Sequence, residues 1–260
     1  MIITSEQVDV GTPDGGFIRT FIALPKSPGK YPGLLLYSDI FQLTGPMVRS
    51  CARLAGYGFV VAAPEIYRRL EPPGLAIPFD DAGRTRGLAD AGKTPVAHFD
   101  ADCRIMLNYL KEHPAVWPGA LGAGGFCIGG HLAFRAAMHK DVRATACFYG
   151  TGIHDGKLGS DADPGSLQRA GEISGELLLV WGALDPHTPA AGRAKIEARL
   201  QAAGVNFAQS VYEAEHAFMR DEGPRYDAEA TDRAFAEMIS FFRRVFNAAT
   251  VQQSTIHANQ

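Results

Sequence analysis

Three side chains of this sequence are of the types that together carry out nucleophilic acyl transfer: the thiol of Cys127, the carboxylate of Asp185 and the imidazole of His216. A thiol attacks as its thiolate, and with an ordinary pKa of ~8.5 it is largely protonated at neutral pH, so a base or a local dipole must assist it. An imidazole can take that proton and return it to a leaving group, and an acid can fix the imidazole's orientation and stabilise its charged form. Each residue alone has a plainer reading. Cys127 could be a small residue in a glycine turn, Asp185 could cap the turn "LDPHTP", and His216 could be a structural or surface histidine.

The surroundings of Cys127 favour the chemical reading. In "GAGGFCIGGHLAF", residues 122–134, an apolar run ends at the cysteine and a helical segment begins after it. A nucleophile on such a sharp strand-to-helix turn needs close neighbours without side chains, and Gly125 and Gly129 flank it, with Gly130 easing the approach of the helix. The turn is expected to leave the sulfur exposed at the top of a sheet, near a helix N-terminus whose dipole favours a thiolate and a nearby oxyanion.

The elements that must hold these residues can be read along the chain. Residues 6–24 read as two strands around "TPDGG". Buried strands are expected at 33–38, 59–64, 120–126, 143–150, 176–182 and 206–213. Helices are expected at 46–58, 96–112, 128–139, 189–203 and 227–246. The segment 68–94, rich in Pro, Gly and charge, reads as a long irregular excursion of the functional kind. The polar tail 248–260 reads as frayed. Buried strands alternating with helices imply a mostly parallel sheet covered on both faces, with sites at the carboxyl ends of the strands. Cys127, Asp185 and His216 each follow a strand, in the order nucleophile, acid, histidine. That is the order of the α/β-hydrolase fold, and G-F-C-I-G fits its nucleophile elbow with Cys in place of Ser.

Composition narrows the classes. A chain of 260 residues with 46% hydrophobic residues suits a single α/β domain over 1–247. A net charge of −3 without a basic block argues against a nucleic-acid partner. No apolar run is long enough to span a membrane. The start "MIITSEQVDV" does not read as an export signal. Cys51, Cys103 and Cys147 sit in apolar segments and read as core, none of the four cysteines forms a metal-ligand pattern, and reduced thiols in a cytoplasmic protein are expected.

The segments "SDIFQLTG", "FVVAAPEIY", "GGFCIGGHLAF", "CFYGTGI", "VWGALDPHTP" and "EHAFMRDEGPRYD" resemble those of the dienelactone hydrolase, or carboxymethylenebutenolidase, family from about residue 6 to 246. The resemblance implies an α/β-hydrolase fold, a Cys-His-Asp triad and no cofactor or metal. It implies small-molecule ester or lactone substrates, some bearing a carboxylate. It makes Cys127 the nucleophile, His216 the base and then the acid, and Asp185 the residue that orients it. The backbone N–H groups of Ile128 and Ile40 become the oxyanion hole. Asp39 stands where relatives usually carry a glutamate that touches the thiol. Phe41 and Tyr149 match aromatic pocket residues. Arg220 and Arg84 match two arginines that hold a substrate carboxylate, with Arg86 a rival to Arg84. The aromatic residues that relatives carry near Arg84 are replaced by Leu88 and Ala91. A monomer or homodimer is expected. Two other functions fit parts of the pattern: a non-catalytic small-molecule-binding hydrolase fold, and a redox-sensing thiol.

Overall fold

A computed structural model describes residues 1–258, with side chains described through 247. Eight strands form one sheet in the order β1-β2-β4-β3-β5-β6-β7-β8. β1 (Ile3–Gly11) and β2 (Phe17–Pro25) make an antiparallel hairpin, and β2 also pairs antiparallel with β4 (Val60–Pro64). From β4 through β3 (Tyr31–Tyr37), β5 (Val116–Phe126), β6 (Val142–Phe148), β7 (Glu176–Gly182) and β8 (Phe207–Tyr212) every pairing is parallel. This is the α/β-hydrolase architecture, with helices on both faces.

The central strands read as unbroken apolar runs because both of their faces are buried. In β3 the pleat sends Leu34 and Leu36 to one face and Leu35 to the other. The first face packs against α1 (Gly45–Gly56) and α6 (Ala228–Ala258) through Met47, Leu54, Met238, Phe242 and Phe246. The second packs against α3 (Val96–Glu112), α4 (Ile128–Ala136) and α5 (Ala190–Ala202) through Met106, Leu110, Phe134 and Ile196. Burying a side chain of this size contributes about 1.5–3 kcal/mol before the cost of ordering the chain. The two layers therefore hold the strand ends rigidly in place.

Three details differ from the sequence reading. The excursion 68–94 is not irregular throughout, because α2 (Asp81–Lys93) occupies its second half. Asp80 caps that helix by accepting the Gly83 N–H at 2.7 Å. β5 starts at Val116, four residues earlier than expected, and the ladder shifts register before Leu121. α6 continues through Ala258 rather than ending at 246, since no Gly or Pro interrupts 228–258. The last two residues of the tail lie outside the described residues.

Candidate active site

Cys127 sits between β5 and α4 with φ 59° and ψ −122°, a conformation that side-chain-bearing residues rarely adopt. Such strain persists only where the surroundings over-determine it. Here the Cys127 N–H donates to Phe148 O at 3.1 Å, and its carbonyl accepts from Gly130 at 3.0 Å and Thr151 at 3.2 Å. The flanking glycines are sterically required. A Cβ on Gly125 would stand 2.1 Å from Gly129 O, and one on Gly129 would stand 2.3 Å from Ser38 O. The turn is thus pressed against the end of β3, the strand paired with β5. The sulfur is less open than the motif suggested: Cys127 is only 8% exposed. It belongs to a packed cluster that includes Phe126, Tyr149 and Phe218.

The loop after β7 supplies Asp185 and the loop after β8 supplies His216, both buried. His216 Nδ1 and Asp185 Oδ2 are 2.7 Å apart, and the His187 N–H donates to Asp185 Oδ1 at 2.8 Å. With Nδ1 so engaged, Nε2 is the nitrogen left to face the Cys127 sulfur. Burial alone would depress the His216 pKa. A negative charge on Cys127, the hydrogen bond to Asp185 and one to the sulfur outweigh burial and raise it to about 9. Burial likewise opposes ionisation of Asp185, but the hydrogen bond and charge of His216 and the His187 amide hold its pKa below the ordinary carboxylate value. The structure therefore brings together the three residues read from sequence as nucleophile, base and acid.

Ile128 and Ile40, the expected oxyanion donors, both lie near this turn. Ile128 is the first residue of α4, directly after Cys127. Ile40 lies two residues beyond Ser38, against which Gly129 packs. Neither N–H donates to a protein acceptor among the described residues. Unpaired buried N–H groups are rare, so one on the elbow and one on the loop after β3 are candidate donors to an anionic oxygen.

Asp39 does not turn to the thiol. Its Oδ2 accepts from Arg220 Nη2 at 2.7 Å and Nε at 3.0 Å, and its Oδ1 accepts the Phe41 N–H at 2.9 Å. The shorter aspartate is fully engaged by these partners. The Arg220 guanidinium lies 4.8 Å from the centroids of both Phe41 and Phe79, whose rings meet edge-on. Asp39, Ser50, Phe126, Tyr149 and Arg220 contribute to the lining of a cavity of about 30 Å³, room for one or two waters. Tyr149 is held at φ 40° and sets its ring edge-on to His216 at 5.2 Å.

The two rival arginines of the excursion separate clearly. Arg86 is locked bidentately on Glu71. Arg84 is exposed, and its guanidinium donates no hydrogen bond among the described residues. It lies close enough to His187 to act on its charge, as does Arg225. The pKa of His187 is lowered by burial, then by the charge of His216, then by those two arginines, with Asp185 opposing. The His187 ring in turn packs on His216, with centroids 4.6 Å apart. His187, Arg225 and Phe79 carried no specific signal in the sequence beyond the proximity of His187 to Asp185. No group of His, Cys, Asp or Glu suited to a metal occurs among the described residues. No described helix is long and apolar enough to cross a membrane.

Comparisons agree with this architecture. A Saccharomyces cerevisiae protein named "Putative carboxymethylenebutenolidase" is 36% identical over 254 residues, covering 94% of this chain and 93% of that one. The carboxymethylenebutenolidase of Pseudomonas sp. strain P51 is 26% identical, covering 96% of this chain and 99% of its own. Among solved structures, a "Putative Dienelactone Hydrolase" from Klebsiella pneumoniae superposes with a TM-score of 0.82 at 26% identity, covering 93% of this chain and 99% of that one. The sequence model of the dienelactone hydrolase family matches residues 18–246, and the chain belongs to that hydrolase family.

Proposed function

We propose that this protein is a cysteine-dependent hydrolase that cleaves activated esters or lactones through an acyl-thioester. One observation carries the reading: the strained Cys127 stands beside an imidazole whose pKa is raised to about 9, close to two residues, Ile128 and Ile40, whose amides have no protein acceptor among the described residues. The Cys127 thiolate attacks the carbonyl carbon, forming the C–S bond. The negative charge that develops on the carbonyl oxygen is received by the Ile128 and Ile40 amides. The C–O bond then breaks, and the His216 imidazolium gives its proton to the departing oxygen. Water next attacks the thioester while His216 takes its proton. The C–S bond breaks, the acid product leaves, and Cys127 is again a thiolate beside an imidazolium.

A thiolate is itself a good leaving group, so the tetrahedral adduct goes forward only when the alcohol or enol leaves still more readily. This favours enol esters and activated lactones over alkyl esters and amides. Phe41 and Tyr149 offer an apolar lining, and Arg84 has a guanidinium free to bind a carboxylate. Arg220 is already committed to Asp39, so its part in substrate binding requires that pair to open. The test is turnover of a panel of p-nitrophenyl and enol esters by the parent and by Cys127→Ala, with iodoacetamide titrated against the parent. The reading requires that turnover vanish in the variant and fall in proportion to labelling of Cys127.

A further inference from the structure

The excursion supplies several of the contacts that hold the loop carrying Ile40. Ile77 N–H donates to Phe41 O at 3.0 Å. Gln42 is wholly buried at φ 65°, and its side chain bridges the segment after β4 and the excursion. Its Oε1 accepts the Tyr67 N–H at 3.2 Å, and its Nε2 donates to Leu75 O at 3.1 Å. The excursion helix α2 then closes over this loop. Gly87 lies so near it that a Cβ there would stand 2.4 Å from Ile40 O and 3.1 Å from Ile40 Cβ. The Tyr67 hydroxyl donates to Gly87 O at 3.2 Å and ties the same turn of helix to the end of β4. On the outer side, Arg86 is clamped to Glu71.

We propose that α2 is a brace for the oxyanion donor at Ile40, with Gly87 its positioning residue. The peptide plane of Asp39–Ile40 and that of Ile40–Phe41 share the Ile40 Cα. A push on the Ile40 carbonyl therefore turns the residue that presents the Ile40 N–H to the developing oxyanion. Gly87 lets the helix backbone rest against that carbonyl, so the rigid helix, rather than the loop alone, sets the donor's direction. An oxyanion donor is effective only when it is aimed at the oxygen of the transition state. The proposal rests on the reading of Ile40 as an oxyanion donor, and it adds a residue that touches neither the substrate nor the sulfur.

The experiment compares Gly87→Ala with Gly92→Ala. Gly92 is on the same helix, but a Cβ there would meet nothing within 4 Å. Three measurements are made: steady-state kinetics (kcat and KM) for an activated ester, the rate at which iodoacetamide alkylates Cys127, and Tm. Alkylation needs the thiolate and forms no oxyanion, so it reports the nucleophile separately. Gly87→Ala should lower kcat by about 100-fold with KM within about twofold of the parent, with alkylation of Cys127 unchanged. Gly92→Ala should match the parent in all three. Parental kcat in Gly87→Ala, or an equal fall in kcat and alkylation, would overturn the brace. If Gly87→Ala does not fold, Arg86→Gln loosens the helix from Glu71 without touching Ile40. It should lower kcat by roughly threefold to tenfold at constant alkylation, on the scale of a donor partly misaimed, and an unchanged kcat there overturns the proposal. Cys127→Ala, run beside these, separates the two ideas. Turnover that survives in it refutes the thioester reading, whereas the contrast between Gly87 and Gly92 addresses the brace.

Discussion

Asp185 Oδ2 and His216 Nδ1 lie 2.7 Å apart, and the second carboxylate oxygen of Asp185 is fixed at 2.8 Å by the His187 amide. A carboxylate held at both oxygens cannot turn away from the imidazole, so it determines which ring nitrogen faces the sulfur. Asp185→Asn keeps the shape and removes the charge. It should lower kcat by about 100-fold or more with little change in KM. In an NMR titration the His216 imidazole should titrate below the parental value of about 9, because one of the interactions that raise it is weakened. A parental titration curve in this variant would mean that Asp185 does not support the imidazolium.

Arg84 and Arg220 should behave differently toward substrate charge. The Arg84 guanidinium has no hydrogen-bond partner among the described residues, while Arg220 is paired with Asp39 and flanked by Phe41 and Phe79. For a carboxylate-bearing ester, Arg84→Ala should raise KM about tenfold, equivalent to about 1.4 kcal/mol, and leave a neutral ester unaffected. Arg220→Ala should impair both esters, because it leaves the part-buried Asp39 without its cation. Equal losses on the two esters for Arg84→Ala would remove it from substrate recognition.

Glu71 and Asp90, a buried residue of α2, form an acid pair. Burial first, and then hydrogen bonding and repulsion from Glu71, raise the Asp90 pKa to about 6 from 3.8. The folded protein therefore binds this proton more tightly than the unfolded chain does. Between about pH 3.8 and 6 the contribution of Asp90 to stability falls as pH rises, and the cost is fully present above that window. Asp90→Asn keeps a donor for Glu71 and has nothing to ionise. Its Tm should exceed the parent's by about 2–4 °C at pH 7.5, roughly what 1 kcal/mol gives at this size, with no gain at pH 4. A gain of the same size at both pH values would show that ionisation of Asp90 is not the source.

Much of the scaffold was legible in the sequence for a simple reason. Strands buried on both faces must be apolar throughout, so "GLLLY" and "LLLVW" stand out, and the residue after each such run is at a strand's carboxyl end. The steric demand of the elbow writes itself as glycines around Cys127. Helix α2 was missed because it packs through its backbone: Gly83 and Gly87 are among its few buried residues, and "DAGRTRGLADAGK" carries no apolar stripe to reveal a helix. The Asp39–Arg220 pair joins positions 181 residues apart, and no local pattern records such a meeting. The pairing of Arg86 with Glu71, fifteen residues before it, is likewise recorded by no local pattern. The depth of Cys127 depends on rings supplied by several strand ends, which spacing alone does not convey.

The central claim is that the reacting group is the sulfur of Cys127. Its most direct test is mass spectrometry of protein quenched in acid within milliseconds of mixing with an activated ester, followed by digestion and mapping. The account predicts an added acyl mass on the peptide that contains Cys127, formed as fast as the first turnover and absent, together with turnover, in Cys127→Ala. Hydrolysis at the parental rate by Cys127→Ala, or an acyl group carried by another residue in the parent, would contradict it.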